Sequence, residues 1–306
     1  MILLCGIPTE KPLAMVAEQL DALDRPYRFF NQRRAAAMAM EWEIVGGDIR
    51  GRLDLGGQHL ELADIGGVYT RMMDDRALPE LEGEAEGSWK RAQSRSLHDC
   101  LYRWSEVTRA RVVNRAGPQG SNGSKPYQAQ LIRRAGFSVP ETLVTNQPEL
   151  VRGFYREHGR VIYKSMSGVR SIVVELTDDD LDRLDCVRWC PVQFQVFVPG
   201  TNVRVHTIGN DAFATRIDSD VTDYRYAGQQ GGEANLTATD LPDDVTQACL
   251  SLSAGLGLTF AGIDLKVTPD GEVFCFEVNP SPAFSYFELN SGQPIARAVA
   301  RYLGDG

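Results

Sequence analysis

The chain has 306 residues, 43% of them apolar, and 41 acidic against 32 basic side chains, for a formal net charge of −9. That length exceeds the usual domain of about 100–200 residues, so two or three lobes are expected. The acidic balance argues against an extended nucleic-acid surface and against a cationic membrane patch, while a local phosphate pocket needs only two or three well-placed cations.

The apolar opening Ile2-Leu3-Leu4-Cys5 runs into Gly6 and Pro8. It is too short for a secretory h-region, and nothing approaches the ~20 apolar residues of a membrane span, so a soluble cytoplasmic protein is expected. Six cysteines lie scattered at 5, 100, 186, 190, 249 and 275, which reads as reduced thiols rather than a disulfide framework. Cys186 and Cys190 have a C-x₃-C spacing that could begin a zinc site; with no second ligand pair nearby, ordinary packing is preferred.

In chain order, residues 2–5 form a buried strand, 12–23 a helix and 27–30 a second strand, a β-α-β opening. Alternation around Gly56-Gly57 predicts a hairpin over 49–62, and 68–70 a further strand. A helix over 84–109 carries Leu97, Cys100, Leu101 and Trp104 on one stripe, and 112–113 closes the first sheet. The Gly-, Asn- and Ser-rich stretch 114–124 is a loop, and Ser124 caps a helix over 126–134 that ends before Gly136. A strand at 142–144, a helix at 148–158 and strands at 161–164 and 171–175 follow. Residues 192–198, 202–208 and 211–217 are strand-like, 218–240 is a polar loop, and 242–256 is helical. Strands at 260–267 and 272–278 and a helix over 294–303 complete the chain. The pattern is α/β at the front, then a small mixed lobe, then an antiparallel sheet with flanking helices.

The last strand pair carries the chemistry. It flanks Pro269-Asp270-Gly271, a turn in which proline presets φ and glycine accepts φ > 0. Alternation sets Ile263, Leu265 and Val267 on one face and Asp264 and Lys266 on the other; on the return strand Cys275, Glu277 and Asn279 share a face. A loop of two or four residues would set Asp264 opposite Cys275 and diagonal to Glu277, whereas a regular three-residue loop would send Asp264 to the far side. In the first case three oxygen donors, two of them anionic, converge in a set that suits Mg²⁺. The competing reading is a solvated hairpin, weakened by the rigid Asn279-Pro280-Ser281-Pro282 that follows directly.

The D-x₁₂-E-x-N-P-S-P spacing resembles the metal-binding end of the ATP-grasp superfamily. The resemblance implies an ATP-grasp fold with an N-terminal α/β domain (1–113), a central lobe (114–198) and a C-terminal lobe with the metal site (199–306). It also implies Asp264, Glu277 and Asn279 as ligands of two Mg²⁺ ions on ATP. Lys164, ending the strand 161–164, resembles the lysine that reaches the α/β phosphates. Residues 191–198 are similar to the interlobe hinge, with Gln195 in place and Val196 where a glutamate is usual; main-chain groups of Val196, Phe197 and Val198 would read adenine. Asn202 and Arg204 resemble the aspartate and arginine of a further segment, the first toward ribose, the second toward the transferring phosphoryl group. Lys125 resembles a lysine near the nucleotide. The loop 165–171 has only Gly168, so Ser167, Arg170 and Ser171 would supply donors that backbone amides give elsewhere. Arg225, with Asp223 and Gly231-Gly232 nearby, and Arg216 are candidates for binding the carboxylate or its phosphate.

The four histidines are scattered and no nucleophile dyad is evident; His206 shares a strand face with Arg204, with a structural role preferred. This absence agrees with chemistry in which a substrate carboxylate attacks ATP and the resulting acyl phosphate meets an amine or hydroxyl. The segment 121–146 resembles the subgroup of ribosomal-protein glutamate ligases and graspetide peptide ligases, and the phrases at 136–146 and 163–168 are similar to the graspetide ligases in particular. That resemblance implies a peptide or small-molecule carboxylate plus an acceptor, and a homo-oligomer. Ligation of a free amino acid, a phosphotransferase and a noncatalytic nucleotide sensor are the alternatives.

Overall fold

A computed structural model of the chain describes residues 1–165, 173–219 and 234–305. It begins with β1 (Ile2–Gly6), α1 (Lys11–Ala22) and β2 (Tyr27–Asn31), followed by β3 (Ala39–Val45), β4 (Asp48–Asp54), β5 (His59–Glu61) and β6 (Gly67–Arg71). The expected hairpin is the β4–β5 pair, and β3 adds a third strand unforeseen from the sequence. The β3 run alternates polar and apolar residues and turns at Gly46-Gly47, both at positive φ. Next come α2 (Trp89–Val107) and β7 (Arg111–Val113). The helix starts five residues later than expected because Ser88 caps it, its side chain accepting from Arg91 N–H at 3.4 Å.

The middle of the chain holds α3 (Ala116–Gln119), α4 (Lys125–Arg134), β8 (Thr142–Thr145), α5 (Pro148–His158), β9 (Val161–Ser165), β10 (Val174–Glu175), α6 (Asp178–Asp182) and β11 (Val192–Val196). The unforeseen α6 opens with a capping box between Thr177 and Asp180. The last part contains β12 (Thr201–Ile208), β13 (Asp211–Ser219), β14 (Ala234–Thr239), α7 (Asp243–Gly255), β15 (Phe260–Val267), β16 (Val273–Asn279), α8 (Ser285–Ser291) and α9 (Ile295–Gly304). The polar stretch expected as loop over 218–240 therefore ends in a strand, and α8 is a further helix that the sequence did not announce. Among the described residues no helix is long and apolar enough to cross a membrane.

Three larger sheets result. The first is parallel, in the order β2-β1-β6-β7. Its central strand is buried along its whole length, which explains why β1 reads as a continuous apolar run rather than an alternation. Ile2 and Leu4 pack against α1 and α9, while Leu3 and Cys5 face α2 and the three-stranded hairpin. The second sheet is antiparallel, ordered β10-β9-β11-β8. The third, also antiparallel, runs β14-β13-β12-β15-β16.

The two faces of this third sheet have different fates. Val203, Val205, Ile263 and Leu265 pack with Cys249 and Leu252 of α7. The opposite face is covered only in part, by Phe284 and Phe287 beside Phe260 and Ile217. The uncovered part carries the chemistry.

At the sheet's edge α4 takes the place of a further strand. Gln128 donates from Nε2 to the Val278 carbonyl at 2.8 Å and accepts the Val278 N–H at Oε1 at 3.0 Å. Val278 is fully buried, so no water can substitute. Gln128→Ala should leave both main-chain groups unpaired at about 1–3 kcal/mol each, read as a lower urea midpoint with an unchanged slope. An unchanged midpoint would contradict this account of how α4 docks.

Candidate active site

Near its turn the β15–β16 hairpin pairs Val267 with Val273 and Leu265 with Cys275. Continued regularly, that register would send Asp264 and Glu277 to opposite faces. Instead the pairing shifts between Asp264 and Leu265, with Phe276 as the extra residue, and Asp264 then lies directly opposite Glu277 and Gly262 opposite Asn279. The donors thus converge, but by a bulge and not by the regular register expected. The bulge also corrects the position of Cys275, which was expected on the face of Glu277 and is buried in the core against Leu265.

Each carboxylate has a cation. Arg204 lies across from Asp264 on β12 and donates from Nη1 to Asp264 Oδ1 at 2.7 Å. Its side chain is only 6% exposed. Gly262 makes room for it: a Cβ there would fall on the guanidinium. The ring of Phe287 lies 5.6 Å from the same guanidinium. On the other strand, Lys125 donates to Glu277 Oε1 and, at 2.7 Å, to Asn122 Oδ1. Lys125 opens α4 and Gln128 follows one turn later, so the contact that docks the helix also aims the lysine. Burial works against ionisation of Glu277, yet Lys125, with Lys164 and Arg204, holds its carboxyl below the usual range. Lys164, on β9 in the second sheet, acts on this carboxylate through its charge.

This donor set fits a divalent cation. Glu277 is held ionised, Asp264 stands opposite it, and Asn279 lies two residues along the same strand. Among the described residues no group of three or more His, Cys, Asp or Glu could hold a metal, so any third oxygen comes from outside those four residue types. Asn279 offers one: its Oδ1 accepts the Ser281 N–H at 3.1 Å and retains a second lone pair.

The remaining expected residues divide. Asn202 is on the same strand face as Arg204, opposite Lys266. Gln195 is buried and donates to Thr142 Oγ1 at 3.0 Å. The Val196 N–H donates to Glu141 O and the Phe197 N–H to Arg160 O, both at 3.0 Å. Of the expected hinge main-chain groups, the N–H groups of Val196 and Phe197 are thus already engaged within the protein. Arg216 is not brought to the site. It pairs with Val203, on the face opposite Arg204, and forms an ion pair with exposed Asp218 at 2.8 Å. Gly168, Ser167, Arg170, Ser171, Asp223, Arg225, Gly231 and Gly232 lie outside the described residues.

His206 is completely buried, 4.9 Å from the ring of Phe287, and among the described residues neither ring nitrogen has a hydrogen-bond partner. Burial first, and Arg204 second, push its pKa well below the ordinary histidine value. A neutral packing histidine is the consistent reading.

Residues 124–303 match the RimK-like ATP-grasp domain. This is more than half of the chain, which therefore belongs to the RimK-like ATP-grasp family and is an ATP-grasp ligase. A protein of Saccharophagus degradans named "Probable alpha-L-glutamate ligase" is 22% identical over 215 residues, covering 67% of this chain and 70% of that protein. Among solved structures, the ATP-grasp ligase PsnB complexed with minimal precursor, Mg and ADP is 28% identical, with a TM-score of 0.79 over 99% of this chain and 96% of that one. A RiPP-associated ATP-grasp ligase of Chryseobacterium gregarium, in complex with ADP and a leader and core peptide, superposes with a TM-score of 0.83 at 24% identity, over 99% and 96% of the two chains.

Sequence reasoning had missed Gly262, Gln128 and Phe287. Only the first left a signal, a glycine two residues before the aspartate in a strand where a side chain would be normal. Gly262→Ala should displace Arg204 and lower ATP turnover at least tenfold, with a stability loss of about 1–3 kcal/mol; unaltered turnover would contradict the fit. A second outcome concerns pH. The folded Glu277 carboxyl titrates below its unfolded value near 4.5. Its contribution to stability is therefore present above that pH and disappears as pH falls through the lower folded value. Lys125→Met removes a cation responsible, so the loss of Tm between pH 7 and pH 4 should be smaller than in the wild type. An equal or larger loss would exclude this coupling.

Proposed function

We propose that the chain is an ADP-forming carboxylate ligase acting on a peptide, using ATP and two Mg²⁺ ions. The observation that carries this reading is the opposition of Asp264 and Glu277, each paired with a cation from a different element. Asp264, Glu277 and Asn279 would hold the metal, which when bound neutralises charge on the phosphates and draws them into line. Lys164 and Lys125 take phosphate oxygens, Asn202 the ribose and the Val198 amide the adenine edge. Arg204 faces the phosphoryl group in transfer, where a buried guanidinium stabilises developing negative charge.

The substrate carboxylate oxygen attacks the γ-phosphorus, the bond to the β-phosphate oxygen breaks, and ADP leaves with the electron pair. The amine or hydroxyl then bonds to the acyl carbon of the acyl phosphate. The acyl carbon–oxygen bond breaks, and phosphate departs carrying the acceptor's proton. No protein nucleophile is required. Arg225 remains part of the proposal as a ligand for the substrate carboxylate; Arg216 does not. The division at 1–113, 114–198 and 199–306 is part of the same reading, supported by one large sheet falling in each stretch.

The peptide substrate is favoured by likeness to ligases solved with precursor, leader or core peptides. A second reading, addition of free glutamate to an acceptor, is favoured by the name of the curated relative. Mass spectrometry separates them: loss of one water within a peptide marks crosslinking, and gain of a glutamyl residue marks addition. For either ligase, ADP release requires both carboxylate and acceptor and stops on chelation of Mg²⁺. Glu277→Gln should lower kcat by roughly 10²–10³-fold, as loss of a charge-stabilising group does. ADP release with an acceptor alone would instead indicate a phosphotransferase.

A further inference from the structure

A cavity lies beside the proposed catalytic face. It occupies about 590 Å³ at the carboxyl ends of β1 and β6 in the parallel sheet. The chain leaves β1 through α1, which packs on one face, and leaves β6 toward α2, which packs on the other. Connections that part in this way open a crevice between neighbouring strands, the position where open α/β sheets bind ligands.

The wall of this crevice joins the metal-site loop. Arg71, ending β6, donates from Nε and Nη2 to Glu10 at 2.6–2.9 Å. Its Nη1 donates to Ser281 Oγ at 3.3 Å and to the Pro282 carbonyl at 3.1 Å. Ser281 in turn donates its N–H to Asn279 Oδ1, so the cavity begins two residues from a proposed metal ligand. Its chemistry is specific. The Arg71 charge is met in full by Glu10, which makes the pair a poor site for a second carboxylate. The rest of the lining includes the hydroxyl-bearing residues Thr9 and Ser281 and the methionines Met72 and Met73. Such a surface suits a short aliphatic chain that ends in a hydrogen-bond donor carrying no negative charge.

We propose that this crevice is the acceptor subsite, binding an aliphatic side chain that ends in an amine or a hydroxyl and delivering it past Ser281 to the acyl phosphate. The inference rests on the ligase reading for its reaction, but its ligand preference can be tested separately. It assigns a role to the parallel-sheet region, which the family match from residue 124 onward does not cover.

The test has two arms. In the first, the full chain labelled with ¹³C at the methionine methyls is titrated with n-butylamine, n-butanol and butyrate. The Met72 and Met73 methyls should respond to the amine or the alcohol and not to butyrate, and Thr9→Trp should remove the response. In the second, the acyl phosphate is trapped as a hydroxamate with hydroxylamine, which is small enough not to need the crevice. Synthetic peptides carrying Glu with Lys, or Glu with Thr, supply both substrates. Thr9→Trp and, independently, Met73→Trp should lower condensation at least tenfold while hydroxamate still forms at close to the wild-type rate. The Lys and Thr peptides report which acceptor is used. Methyls that respond equally to butyrate, or to none of the three probes, overturn the proposal. So does condensation that survives both substitutions, or hydroxamate formation that falls in parallel with it. If the methyls respond as expected but the wild type gives no hydroxamate, the ligase reading fails while the crevice stands as an amine or hydroxyl site.

Discussion

Two carboxylates set directly opposite each other on neighbouring strands repel, and a sheet is weakened by such a pair unless something answers the charge. The β15–β16 hairpin creates this situation when its bulge turns Asp264 to face Glu277. The answer comes from outside the hairpin: Arg204 from β12 and Lys125 from the first turn of α4. Much of the local architecture follows from that requirement. Gly262 lacks a side chain because the guanidinium lies over it, Phe287 covers the guanidinium, and Gln128 fixes the helix that carries the lysine.

The same arrangement explains how a structural solution can serve chemistry. Ion pairs that are largely buried gain little net stability, because desolvation offsets most of the attraction, yet breaking one strands a charge at a cost of about 3–5 kcal/mol. Arg204 and Lys125 are therefore held in place firmly without contributing much to the fold. If a divalent cation takes over the carboxylates, both become available to phosphate oxygens without leaving a carboxylate unpaired. The wall of the neighbouring crevice carries a further ion pair, Arg71 with Glu10, and Ser281 links the two regions.

Much of this was legible in the sequence, for physical reasons. The Pro-Asp-Gly turn and the alternation on both sides of it announced a hairpin with oxygen donors on one face, and the family resemblance it carried is upheld. The bulge was not legible, since no glycine marks Phe276 and a period-two pattern conveys parity alone. Arg216 was avoidable: the tight turn at Gly209-Asn210 sets Ile208 opposite Asp211 and hence Arg204 opposite Thr215, which sends Arg216 to the other face. β14 stayed hidden because, as a polar edge strand, it buries only Leu236 among its described side chains. Lys125 was expected at the nucleotide, but its bond to Glu277 joins residues 152 positions apart and depends on the docking of α4, information that no local window holds.

The most direct measurement is a crystal structure of the chain with Mn²⁺ and a non-hydrolysable ATP analogue, with the metal located by anomalous scattering. The account predicts a peak at about 2.0–2.3 Å from oxygens of Asp264, Glu277 and Asn279, as hard oxygen coordination of a small divalent ion requires, with Arg204 and Lys125 turned toward phosphate oxygens. A peak elsewhere, with both ion pairs intact beneath the bound nucleotide, would contradict it.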